Sequence, residues 1–242
     1  MKLPRWALFF LLVGWILLVL YPDPSVLVRS ITNIEHPDVD AVAVRAIAAT
    51  LPNDPRLIEQ AVLTRLVPYS YDWQTNGVPW YFPNTAEVIR SKRGDCESRA
   101  VLLASILKAK GIPFQILMSF DHIWVDYPGK QANALENKDV ALAQRVNGRY
   151  VWFWPKDFHL GAEINAQLAT FWTPMPIARK GLFFGGLLML LLINPVARRR
   201  WRSCGLDERG RLLGAPGRAS RSVLSGRTPR AVVGPVRPGC EI

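Results

Sequence analysis

The order of elements in this 242-residue chain predicts an α+β fold held between two apolar segments. Helix-patterned stretches occupy residues 38–111, short strand-patterned stretches cluster after them up to residue 154, and an apolar run lies near the start and another beyond the cluster. Helices gathered ahead of strands, instead of alternating with them, point to α+β and away from a parallel α/β sheet.

Lys2 and Arg5 bracket the entry to an apolar run from Trp6 to Tyr21. At about 1.5 Å per residue this run is short for a hydrocarbon core of roughly 30 Å, but it is workable with snorkelling flanks. It ends in Tyr21-Pro22-Asp23-Pro24 without the small-x-small pattern of a cleaved signal, so residues 1–21 read as an uncleaved transmembrane anchor. A second run, Gly181–Ala197 within a segment 177–197, is followed by Arg198-Arg199-Arg200-Trp201-Arg202. Basic flanks stay on the cytoplasmic side. Two spans therefore place both termini in the cytoplasm and residues 22–176 outside it, with membrane lipid as a partner.

The formal charge of +11 sits mostly beyond the second run: residues 198–242 hold 11 arginines and 3 acids, whereas residues 23–176 hold 15 basic and 16 acidic residues. That distribution fits membrane orientation and attraction to anionic lipid. No basic helix with interleaved aromatics accompanies the arginines, so nucleic acid is not an expected partner. The Gly-, Arg-, Ser- and Pro-rich composition after Cys204 predicts a disordered cytoplasmic tail over 198–242. Two of the three cysteines, Cys204 and Cys240, lie there, leaving Cys96 alone in the 22–176 domain, where no internal disulfide is possible. His36, His122 and His159 lack metal-ligand spacing and no Gly-rich phosphate loop follows a strand, so no metal and no cofactor are expected.

Within the middle domain, Asp38–Leu51 is Ala- and Val-rich and stops at Pro52, predicting a helix. Asp54 caps and Pro55 opens a second helix that ends before Pro68. An aromatic loop from Trp73 to Asn84 then supplies Trp73, Trp80, Tyr81 and Phe82, either to cover the core or to line a groove. Thr85–Arg90 reads as a short helix and Arg93-Gly94 as a turn. Cys96 opens the next helix, whose Val101, Leu102, Leu103, Ile106 and Leu107 mark burial and which Gly111 and Pro113 terminate. Phe114–Leu117, His122–Tyr127 and Tyr150–Trp154 read as strands, and alternation puts His122, Trp124 and Asp126 on one face.

A thiol at the start of a helix meets unpaired N–H groups and the positive end of the dipole, which favour the reactive thiolate. Asp95 and Glu97 have a simpler reading, as acids complementing that dipole. A neutral imidazole can take the thiol proton and return it to a leaving amine, so Cys96 and His122 make a candidate nucleophile and base.

Several segments together resemble the transglutaminase-like superfamily, and most closely its bacterial transglutaminase-like cysteine proteinases. They are Tyr69-Ser70-Tyr71-Asp72, the Trp/Pro-rich approach, Gly94-Asp95-Cys96-Glu97, the helix closing at Lys110-Gly111-Ile112-Pro113, and Asp121-His122-Ile123-Trp124-Val125. The resemblance covers about residues 55–157. It implies a papain-like core of N-terminal helices, a nucleophile-bearing helix and an antiparallel sheet, with the family's cysteine on Cys96 and its histidine on His122. The family normally backs the histidine with an aspartate on the following strand. Aligning Gly148-Arg149-Tyr150 with the opening of that strand puts Trp154 at this place, with Asp157 three residues later. Asp157 is taken as the third catalytic residue, and Glu136 and Asn137, between the strands, are alternatives. Trp80 and Trp124 are candidate substrate-binding residues, suited to an extended peptide. The expectation is a membrane-anchored thiol peptidase or amidase acting on envelope protein or peptide through a thioester acyl-enzyme. Acyl transfer to an amine, as in a transglutaminase, and a catalytically silent envelope-binding scaffold are the other two readings.

Overall fold

The structure, a computed structural model, describes residues 4–193 except 121, 132, 134, 135, 137, 147, 148, 153 and 155–159. It is α+β, with one four-stranded antiparallel sheet among the described residues. The helices are α1 (Arg5–Leu20), α2 (Pro24–Glu35), α3 (Arg45–Ala49), α4 (Pro55–Ala61), α5 (Asp72–Thr75), α6 (Thr85–Ser91), α7 (Cys96–Ala109), α8 (Leu160–Gln167) and α9 (Ile177–Ile193). The strands are β1 (Gln115–Met118), β2 (Ile123–Asp126), β3 (Ala143–Val146) and β4 (Arg149–Trp152), in the order β2-β1-β3-β4.

The core forms around α7. Ser98 and every residue from Ala100 to Leu107 are buried, so this helix is enclosed on all sides, as its near-continuous apolar run requires. It packs against α3, α4, α6 and β2. Val44, Ile58, Val62, Phe82, Ile116 and Val125 close the same core from those neighbours and the loops beside them. The start of α7 is therefore anchored to the buried core of the domain.

Local chemistry explains where the elements differ from the sequence pattern. The Asp38–Leu51 stretch forms only the short α3, because the Asp40 side chain accepts from the N–H groups of Val42 and Ala43 and makes a turn there. The Asp40 N–H is in turn held by Thr85 and Ser105. Asp54 caps α4 with Pro55 at its first position, and the helix runs on as a π-helical turn, Val62–Leu66, before Pro68. A capping box between Asn84 and Glu87 opens α6. Gly111, at φ +70°, takes the left-handed position that releases the chain from α7 into β1.

Helices α1 and α9 pack side by side and run antiparallel. The Trp15 indole donates to the Leu182 carbonyl at 3.2 Å, and the Arg179 guanidinium donates to the Val19 carbonyl. A side chain at Gly186 would collide with the Trp15 ring, so that glycine allows the close approach. The pair is fastened to the domain by the Trp73 indole, which donates to the Phe171 carbonyl at 2.7 Å, and by the Tyr21 hydroxyl, which donates to the Trp80 carbonyl at 3.0 Å. Among the described residues no single helix is long and apolar enough to cross a membrane; α1 and α2 together meet that length and composition as a pair bent by 79°. At 16 and 17 residues, α1 and α9 are each about 25 Å long. Trp6, Phe10, Leu188 and Met189 are more than half exposed on them.

Candidate active site

The chain places Cys96 as the first residue of α7 by a short braced turn. Ser70 N–H donates to the Gly94 carbonyl at 3.0 Å and Gly94 N–H to that of Pro68 at 3.3 Å, which ties the turn to the Tyr69 segment. Any side chain at Gly94 would strike Ser98 in the first turn of α7. Asp95 occupies the N-cap position but makes no side-chain cap bond, so the first amides of α7 have no intrahelical or capping acceptor.

His122 approaches from the turn between β1 and β2. Its backbone N–H donates to Ser119 Oγ at 3.1 Å and its carbonyl accepts from Ser119 N–H at 2.8 Å. The imidazole stacks on Trp124 with centroids 5.9 Å apart and planes 12° from parallel, as expected for alternate residues on one strand face. Cys96, His122 and Ile123 together border two clefts, one of about 190 Å³ and one of about 420 Å³. The Ile123 backbone N–H also interacts with the Cys96 sulfur. The smaller cleft is lined further by Tyr69, Arg99, Asn133 and Glu136. The larger is walled by Trp80, Met118 and Phe120, by Tyr21 just after α1, and by Phe171 ahead of α9.

The third group beside the imidazole is Glu136. His122 Nε2 lies 3.0 Å from Glu136 Oε1. Lys130 Nζ, itself almost fully buried, reaches Glu136 Oε2 at 2.9 Å and Glu59 Oε1 at 2.7 Å. Burial works to raise the Glu136 pKa, but the bonds from His122 and Lys130 outweigh it and bring it down to about 2. A carboxylate ionised at every working pH only accepts, so Nε2 carries the proton of this contact, and in the neutral tautomer Nδ1 is the nitrogen with the lone pair. Asp157 and Asn137 lie outside the described residues. Trp154, at the position where the family pattern expects the aspartate, is 80 % exposed.

The two candidate substrate residues have specific structural partners. Trp124 borders the smaller cleft but is buried, and its ring supports the imidazole. Trp80 borders the larger cleft and donates its indole N–H to Glu97 Oε1 at 2.8 Å.

The electrostatics at the sulfur differ from the helix-dipole expectation. Burial, then the charges of Glu97 and Asp95, push the Cys96 thiol well above its ordinary value. Sγ donates to Glu97 Oε2 at 2.9 Å. Asp95 and Asp72 are both buried beside Glu97. Asp72 is pushed up to about 7, by burial first and by the Glu97 charge second, against bonds from the Tyr81 N–H and Asn76. Asp95 is raised well above the usual range for the same two reasons. A carboxyl raised in the folded state contributes stability that is complete below about pH 3.8 and is lost as pH rises through about 7. The full chain in detergent is thus expected to melt at a higher temperature at pH 5.5 than at pH 8. Asp72→Asn should flatten that dependence, read by thermal unfolding at both pH values.

Sequence reasoning reached Cys96 and His122 and kept Glu136 as an alternative. It assigned no role to Lys130, Glu59 or Asp72, and read Glu97 only through the helix dipole. Among the described residues no cluster of His, Cys, Asp and Glu could hold a metal ion. Compared with models of known protein families, with curated proteins and with solved structures, the chain matches none.

Proposed function

We propose that this chain is a membrane-anchored thiol hydrolase of transglutaminase-like type, a peptidase or amidase with Cys96 as nucleophile, His122 as base and Glu136 as the group orienting the imidazole. The observation that carries the reading is the convergence of Cys96 and His122 on the border of the same two clefts, with a carboxylate 3.0 Å behind the imidazole. In this reaction the Cys96 proton passes to Nδ1 and the sulfur attacks an amide carbonyl, forming an S–C bond. The tetrahedral oxyanion is met by the amides at the start of α7. The C–N bond then breaks as the imidazolium protonates the leaving amine, and water, deprotonated by the same imidazole, hydrolyses the thioester to an acid and the thiol. Two clefts that share Cys96 on their borders suit a polypeptide bound in extended form.

In this reading α1 and α9, each shorter than a full span, cross the bilayer with the help of snorkelling basic flanks and local thinning, as an antiparallel pair with exposed apolar residues. Both termini are cytoplasmic, and the domain between them, with a papain-like core, stands against the outer face of the bilayer. Its substrates are proteins or peptides of the cell envelope.

The test is turnover of fluorogenic casein and of dye-quenched peptides by the full chain in proteoliposomes, beside Cys96→Ser, with and without a fluorescent primary amine. Cys96-dependent release of dye supports the hydrolase. Incorporation of the amine faster than hydrolysis assigns acyl transfer instead. Equal rates for wild type and Cys96→Ser would overturn the catalytic reading in favour of a binding scaffold.

A further inference from the structure

The group nearest the nucleophile in charge is a carboxylate that the hydrolytic cycle does not use. Glu97 has both oxygens engaged: Oε2 accepts the Cys96 S–H at 2.9 Å, and Oε1 accepts the Trp80 indole N–H at 2.8 Å. A thiol has one proton, and while it points at Glu97 it is not on the imidazole.

We propose that Glu97, held in place by Trp80, is a latch that keeps Cys96 as the thiol in the resting site, so that the proton passes to His122 only when the S–H···O bond opens. This rests on the Cys96–His122 reading above. The proton balance is simple. The S–H bond breaks, Nδ1–H forms, a thiolate–imidazolium pair results, and Glu97 neither gains nor loses a proton.

The surroundings favour the latched form. Facing Cys96 and Glu97 are Asp95 at the N-cap of α7, Asp72 on α5, the Tyr69 phenol, Arg99 one turn along α7, and His122 ahead of β2. Arg99 is the one fixed cation of that set, and it is spent on the carbonyls of Val67 and Leu63 and on the Tyr69 ring. Burial and the Glu97 charge hold the Asp95 and Asp72 carboxyls toward their neutral forms, so it is the Glu97 carboxylate in contact with Sγ that opposes a thiolate there until it is drawn away. Trp80 and Glu97 both line the 420 Å³ cleft, so a polypeptide seated in it touches both parts of the latch. The device would couple occupancy of one cleft to release of the nucleophile and protect a lone thiol in an oxidising compartment.

The experiment is alkylation of Cys96 by iodoacetamide in the full chain in detergent, followed from pH 5 to 10 by peptide mass spectrometry. Glu97→Gln is expected to move the inflection down by one unit or more, making alkylation about tenfold faster at any pH below both inflections. Trp80→Phe, which only frees the carboxylate to move, should shift it in the same direction by less. Wild-type inflections in both variants would overturn the latch, and if Glu97→Gln fails to fold, Trp80→Phe alone decides. His122→Ala reports separately on the pair. The comparison is made in the Glu97→Gln background, where the S–H···O latch to a carboxylate is gone: a Glu97→Gln/His122→Ala profile identical to that of Glu97→Gln overturns Cys96–His122 pairing, whereas the comparison of Glu97→Gln with wild type overturns only the latch.

Discussion

His122→Ala is expected to lower Cys96-dependent turnover on the order of 10³-fold, and Glu136→Ala on the order of 10²-fold, with kcat rather than KM carrying both losses. The first figure follows from the double duty proposed for the imidazole, which would take the thiol proton and then deliver it to the leaving amine. The second follows from what Glu136 does to the ring. As an ionised acceptor 3.0 Å from Nε2, it favours the tautomer that leaves Nδ1 free, and in the proposed cycle it would stabilise the imidazolium. Glu136→Gln keeps an acceptor but loses the charge, so its loss should be smaller, about tenfold, and should grow as the chemical step comes to depend on the imidazolium. Asp157→Ala supplies the comparison. If Glu136 orients the ring, that variant keeps wild-type kcat. A full loss in Asp157→Ala together with an active Glu136→Ala would transfer the role to the aspartate.

The parts of this arrangement that were legible in the sequence are those set by local rules. Cys96 at a helix start follows from a Gly-Asp turn ahead of a continuous apolar run, and α7 ends where Gly111 and Pro113 require it. The β1 and β2 strands were legible from their apolar residues, and the stacked His122–Trp124 pair from strand alternation. What was not legible depends on long-range placement. β3, Ala143–Val146, has Gln144 and Arg145 at its centre and too little alternation to read as a strand; it forms because it pairs between β1 and β4. The amphipathic α2 escaped notice between an apolar run and the Ala-rich stretch, although Asp23 caps it with Pro24 at its first position. Glu136 is 14 residues from His122, in a segment with no periodic pattern, and only the fold brings it to the ring. Glu97 does lie in the first turn of α7, as its position in the sequence implies, but its second contact was not legible. An acid in a first helical turn fits the dipole so well that its bond to the adjacent sulfur had no separate signature.

Lys130→Met is expected to be the most destabilising single change near the site, costing about 2–4 kcal/mol and disturbing catalysis at the same time. Lys130 Nζ joins Glu59 and Glu136 and also donates to the Val125 carbonyl at 2.8 Å, while only 6 % of its side chain is exposed. Glu59 accepts in addition from the Tyr127 hydroxyl at 2.6 Å. The ammonium therefore ties α4, β2 and the segment carrying Glu136 into one network. Removing it leaves two mostly buried carboxylates facing each other without their shared cation, and the repulsion falls on the one that orients His122. Met keeps the apolar stem and removes the charge, which separates this effect from lost packing. The sign of the pH response is fixed by Glu136. Its depressed value contributes stability that is present above about pH 4.5 and is lost as pH falls through about 2. With Lys130 gone that value rises, so the acid limb of thermal stability should move to higher pH. A double-mutant cycle with Glu136→Gln supplies the decisive reading. If the network is real, Lys130→Met costs less in the Glu136→Gln background than in wild type, because one of the stranded charges has already been removed. Strictly additive losses would mean that Lys130 and Glu136 act independently and that the imidazole is held by Glu136 without help from the network behind it.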